Sequence, residues 1–114
     1  MFFRKLLNVM IDLPPEHLEI VKRILAENVP ACEVRAFGSR IKQTAKAWSD
    51  LDLAVVGSAK MERHDLYDLK EAFEESVLSI QVDVLDWHAI SPEFQAVINE
   101  GYEVIQPSHF ESKN

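Results

Sequence analysis

Apolar residues along the chain switch between two periods, and the switches mark out the elements. Pro14 and Pro15 suit the first turn of a helix, where a missing N–H costs nothing. Behind them Leu18, Val21, Ile24 and Leu25 recur at helical spacing, and Asn28 with Pro30 closes the helix. Glu33 to Phe37 alternates charged and apolar residues, which predicts a short half-buried strand ending at Gly38. Ser39 then caps a short helix through about Ala45. Leu51 to Val56 is a short apolar run bounded by Asp50 and Gly57, the pattern of a buried strand. Leu66, Leu69, Phe73 and Val77 form a second amphipathic stripe, in a helix from about Arg63. Ile80 to Leu85 reads as a third strand, with Ile80, Val82 and Val84 on one face. Ser91-Pro92-Glu93 opens a last helix, Gly101 ends it, and Tyr102 to Ile105 gives a fourth strand.

The order αβαβαβαβ predicts an α/β fold, a small β-sheet flanked by helices. Periodicity leaves open whether the helices cover one face or both. A chain of 114 residues holds one domain. It is expected at 14–106, with an apolar leader at 1–13, loose or packed on a partner, and a flexible tail at 107–114.

Composition narrows the chemistry. At 47% hydrophobic and 27% charged, the chain has the make-up of an ordinary globular domain and not of a disordered one. Nineteen acidic against twelve basic residues give a net charge of −7, which argues against a long nucleic acid as partner. The single cysteine, Cys32, cannot close an internal disulfide, which suits a reducing cytoplasm. No apolar run is long enough for a membrane helix. Asn8 and Asp12 interrupt the leader, and no small-residue cleavage site follows it, so export is not expected.

The informative stretch runs from Phe37 to Asp52. Ten residues separate Gly38-Ser39 from Asp50-Leu51-Asp52. Strand parity puts Asp50 and Asp52 on one side and Leu51 and Leu53 on the other. Two converging carboxylates repel unless a cation lies between them, and Mg²⁺ is a hard cation that takes carboxylates together with substrate phosphates. Gly38-Ser39 is the complementary half: glycine lets the backbone approach a ligand closely, and the amides opening the next helix attract an anion. Arg35, Arg40, Lys42 and Lys46 make residues 34–49 a basic island without a single acid. A triphosphate with Mg²⁺ could bridge the island and the aspartates. Each piece alone is commonplace, a turn or a cap. Four fixed identities at fixed spacing arise by chance in roughly one chain per thousand of this length.

This segment resembles the GS-x10-D-x-D signature of the DNA polymerase β nucleotidyltransferase superfamily. From about Leu13 to Gln106 the chain looks like its smallest branch, the minimal nucleotidyltransferases (MNT), and the resemblance implies a polymerase-β-like nucleotidyltransferase fold with a small mixed β-sheet flanked by helices. It also implies a third metal-binding aspartate on a later strand. Asp83 sits where the pattern expects it; Asp86 is a rival at the strand's end and on the opposite parity. The implied reaction is transfer of AMP from ATP to a hydroxyl. Asp50, Asp52 and Asp83 would be the catalytic carboxylates and hold two Mg²⁺ ions. Gly38, Ser39 and Arg40 would bind the β- and γ-phosphates.

The chain is too short to carry the template clamp or nucleotide cover that larger members add. The resemblance supplies the missing element: minimal nucleotidyltransferases are typically paired with a small helical HEPN ribonuclease toxin, and act as antitoxins by adenylylating a tyrosine on it. Two alternatives stay open, a small hydroxylated acceptor presented by a separate substrate-binding subunit, and an antitoxin that only blocks its toxin. His17, His64, His88 and His109 share no ligand spacing, and Trp48 and Trp87 flank the site region with packing as their default role.

Overall fold

The computed structural model describes residues 11–108. Its elements are α1 (Pro15–Asn28), β1 (Glu33–Phe37), α2 (Ser39–Lys42), β2 (Leu51–Val56), α3 (Arg63–Glu74), β3 (Val82–Asp86), α4 (Pro92–Asn99) and β4 (Tyr102–Gln106). A single 3-10 turn, Trp87–Ala89, links β3 to α4. The αβαβαβαβ order holds.

The strands lie in the order β3-β2-β1-β4. β1 pairs antiparallel with both β2 and β4, while β2 and β3 run parallel with α3 as their crossover. The sheet is therefore mixed, as the resemblance implies. Its two faces differ because side chains alternate along each strand. Val34, Ala36, Leu51, Leu53, Val55 and Val84 occupy one face and pack under Val21, Ile24 and Leu25 of α1 and Leu69 and Phe73 of α3. Leu25, Leu53 and Leu69 are fully buried, each contributing about 2 kcal/mol by leaving water. On the opposite face α4 lies over part of the sheet: Phe94 meets Phe37 edge to face, with ring centroids 6.0 Å apart. Helices thus cover both faces, but α4 is short and leaves one end of its face open. Asp52 and Asp83 lie on that face.

Three local expectations change. The helix opened by Ser39 stops at Lys42, because Gln43 turns left-handed (φ 64°) and its N–H closes on the Ser39 carbonyl. α3 ends at Glu74, before the fourth residue of its predicted stripe. Ser76 Oγ donates to the Phe73 carbonyl at 2.7 Å, and Val77 beyond it is 83% exposed. β3 begins at Val82, two residues after Ile80. At the N-terminal side, Ile11 is buried in the core and the Asp12 N–H donates to the Arg40 carbonyl at 2.8 Å. The packed unit therefore includes residues assigned to the leader. Residues 1–10 and 109–114 lie outside the described part, and with them most of the expected leader and tail. Among the described residues, no helix is long and apolar enough to cross a membrane.

Candidate active site

Strand register builds the site. Phe37 is paired with both Tyr102 and Asp52, and Asp52 with Asp83. Residues directly opposite each other point to the same face. Tyr102, Phe37, Asp52 and Asp83 thus form one row across all four strands, on the face that α4 only partly covers. Asp50, one residue before β2, adds a third carboxylate beside Asp83. The two aspartates singled out by spacing and the third implied by the resemblance come together, although two belong to β2 and its approach and the third to the parallel neighbour strand.

The carboxylates perturb one another. Asp52 is half-buried, and its pKa is pushed up to about 6 by burial first, then by the charges of Asp83 and Asp50. Asp50 is exposed, yet its carboxyl is also raised, by loss of surrounding water and by Asp83, against a downward pull from the Arg40 guanidinium. Like charges gathered this closely favour a proton or a cation between them. The donor set fits a hard divalent ion: three aspartate carboxylates on an open face, two with raised proton affinity. Among the described residues, no three His, Cys, Asp or Glu side chains are already drawn into a coordination cage. Asp83 Oδ1 instead accepts from Gln81 Nε2 at 3.0 Å.

The rival Asp86 has a different occupation. It is buried at the far end of β3, where Oδ1 accepts from the His88 N–H at 3.1 Å and Oδ2 from the Met61 N–H at 2.8 Å. It caps the 3-10 turn and holds the segment entering α3.

Gly38 closes the other side. Its backbone (φ 86°, ψ −155°) lies where only glycine is at ease, and a Cβ there would overlap Asp52 Oδ2. The Gly-Ser turn is pressed against the aspartate, which places Ser39 at the start of α2 beside the carboxylates. A groove of about 810 Å³ adjoins the site, lined by Asp52, Asp83, Phe37 and Phe94 among others.

The basic island does not act as one patch. Arg35 lies between two rings, 4.7 Å from the Trp87 centroid and 4.6 Å from that of Tyr102, and pairs with Glu33 at 2.6 Å. Lys42 and Lys46 are exposed. Arg40, expected on phosphate, is placed differently: it is 5% exposed, and its guanidinium donates to four main-chain carbonyls. Nothing in the periodicity signals this, because the acceptors are loop carbonyls brought in by the fold. Trp48 is not packed at all; it is 76% exposed, two residues before Asp50.

Aspartates over a Gly-Ser turn, on a mixed four-stranded sheet, are the arrangement that the resemblance implied. The model of the polymerase β nucleotidyltransferase family matches residues 19–109. This chain belongs to that family. It is 47% identical over 96 residues to the probable protein adenylyltransferase MntA of Haemophilus influenzae, covering 84% of either protein. Its fold is similar to a chain of a toxin–antitoxin crystallised with AMP-PNP, with a TM-score of 0.68, 20% identity, and 84% of this chain and 77% of the other covered. It is similar also to a chain of the complex between a tri-AMPylated Shewanella oneidensis HEPN toxin and an MNT antitoxin. There the TM-score is 0.58 at 16% identity, with the same coverage.

Proposed function

We propose that this nucleotidyltransferase is a protein adenylyltransferase antitoxin, moving AMP from ATP to a tyrosine hydroxyl of a partner HEPN ribonuclease toxin. The observation that carries the reading is the register pairing of Asp52 with Asp83 beside Asp50, opposite a glycine whose backbone admits no side chain. A protein that only blocked its partner would have no use for three mutually repelling carboxylates on an open face. The likeness to MntA supports the acceptor class, and the relatives crystallised as toxin–antitoxin complexes support a hetero-oligomer.

Asp50, Asp52 and Asp83 would hold Mg²⁺, in two ions, which when bound supply positive charge at the triphosphate and acidify the acceptor hydroxyl. Gly38 and the Ser39 hydroxyl bind the β- and γ-phosphates and steady the leaving group. The acceptor oxygen forms a bond to the α-phosphorus, the bond from that phosphorus to the bridging oxygen breaks, and pyrophosphate leaves. The acceptor proton passes to a carboxylate oxygen of Asp83. The partner closes the open end of the site, excluding water and fixing the acceptor in line. The net charge of −7 fits a protein partner better than a long nucleic acid, and the lone Cys32 fits work in a reducing cytoplasm.

Intact-mass spectrometry tests this. Co-expressed with the chain, a HEPN partner should gain one or more AMP increments on a tyrosine, and none with Asp52→Asn. A partner neutralised at unchanged mass would make the chain a blocking antitoxin.

A further inference from the structure

Arg40 is the most heavily committed side chain outside the carboxylate cluster. Nη1 donates to the Asp12 carbonyl at 2.6 Å. Nη2 reaches the carbonyls of Lys46 at 3.2 Å, Ala47 at 3.1 Å and Ser49 at 2.9 Å, and Nε reaches that of Ser49 at 3.1 Å. No carboxylate among the described residues forms an ion pair with it. Burying a guanidinium without a direct ion pair is costly, and carbonyl dipoles, with the Asp50 charge acting at longer range, must offset that cost. Core packing needs no such group. What the arrangement does achieve is order in a connection that has no regular structure of its own.

That connection runs from Gln43 to Asp50, between α2 and β2. Two further bonds tighten it: the Lys46 N–H donates to Ser49 Oγ at 2.8 Å, and the Ser49 N–H to the Lys46 carbonyl at 3.0 Å. Asp50 is the next residue. It lies outside the sheet ladder, so β2 does not fix its direction, and the carbonyl pinned last is that of Ser49, immediately before it.

We propose that Arg40 is a positioning residue for nucleotidyl transfer: by gripping the carbonyls of residues 46, 47 and 49, it sets the approach of Asp50 to Asp52 and Asp83. This rests on the nucleotidyltransferase reading of the site. The planar fork of an arginine reaches carbonyls in several directions at once, whereas a lysine ammonium on the same backbone cannot span them. Arg40 therefore acts through Asp50, without touching substrate.

The test uses the full chain with its partner and compares wild type with Arg40→Lys and Ser49→Ala. The second variant keeps Arg40 but removes the hydroxyl that accepts from Lys46. Two quantities are measured at a temperature where each variant is folded: the Mg²⁺ concentration for half-maximal AMP transfer, and amide hydrogen exchange over residues 43–52. Arg40→Lys should raise the Mg²⁺ requirement at least tenfold and speed exchange in that segment at least tenfold, with amides of α1 and β1 unchanged. Ser49→Ala should move both in the same direction, by two- to threefold. A folded Arg40→Lys protein with wild-type Mg²⁺ requirement would overturn the proposal, since a merely structural arginine would lower the melting temperature alone. If Arg40→Lys does not fold, an unchanged Ser49→Ala requirement overturns it equally. A wild type that transfers no AMP would defeat the proposed function instead, and exchange over 43–52 with the thermal shift given by Mg²⁺-ATP would then decide the role of Arg40.

Discussion

Replacing Asp52 by asparagine should make the metal-free protein more stable while ending its catalysis. Asparagine keeps the shape of the side chain and removes the charge. In the folded chain the Asp52 carboxyl titrates at about 6 instead of 3.8. A group whose folded pKa is raised binds its proton more tightly when folded, so its ionisation weakens the fold. Below pH 3.8 the group is neutral in both states and contributes no penalty. The penalty grows between pH 3.8 and 6 and is complete above 6. The full rise corresponds to about 3 kcal/mol. Asp52 is only half-buried, and screening by water reduces the realised value to roughly 1 kcal/mol. That is a gain of roughly 4 °C in melting temperature for a domain of this size. Differential scanning fluorimetry in EDTA at pH 3.5 and pH 8 measures it. The gain should be present at pH 8 and absent at pH 3.5. A variant that melts below wild type at pH 8, or gains equally at both pH values, would show that ionised Asp52 does not weaken the metal-free fold.

Other substitutions separate the parts of the site. Gly38→Ala should cost about 2 kcal/mol and abolish AMP transfer, because the methyl meets the Asp52 carboxylate from a backbone region closed to alanine; urea unfolding and a transfer assay read both. Ser39→Ala should weaken binding of ATP more than of AMP in calorimetry with Mg²⁺, and equal weakening would remove Ser39 from the β- and γ-phosphates. Arg35→Gln should lower stability by about 1 kcal/mol through loss of its Trp87 and Tyr102 contacts, while the thermal shift given by Mg²⁺-ATP stays as in wild type.

The parts of the molecule legible in the sequence are those set by local periodicity. Alternation in Glu33–Phe37 and the bounded apolar run Leu51–Val56 located both central strands, and the parity of β3 separated Asp83 from Asp86 before any register was known. Register itself is a tertiary property, so nothing local placed Phe37 opposite Asp52 and Tyr102 in one row. Val77 continues a helical stripe in sequence, but Ser76 turns back onto the Phe73 carbonyl and the helix ends at Glu74, three residues before Val77, which stays exposed. The basic island misled because charge on paper says nothing of burial: Arg40 grips loop carbonyls, and Arg35 stacks between rings. What could have flagged Arg40 is the length of the unstructured connection after α2, which needs something to hold it.

The central claim is that this site cleaves ATP at the α-phosphorus and leaves AMP on a partner hydroxyl. Parallel incubations of the purified complex with ATP radiolabelled at the α- or the γ-phosphate, in Mg²⁺, test it directly. Label from the α-position should become covalently attached to the partner chain, label from the γ-position should appear only in pyrophosphate, and Asp50→Asn should abolish both. Label reaching the partner from the γ-position would mean phosphoryl and not nucleotidyl transfer, and no label from either position would contradict the account outright.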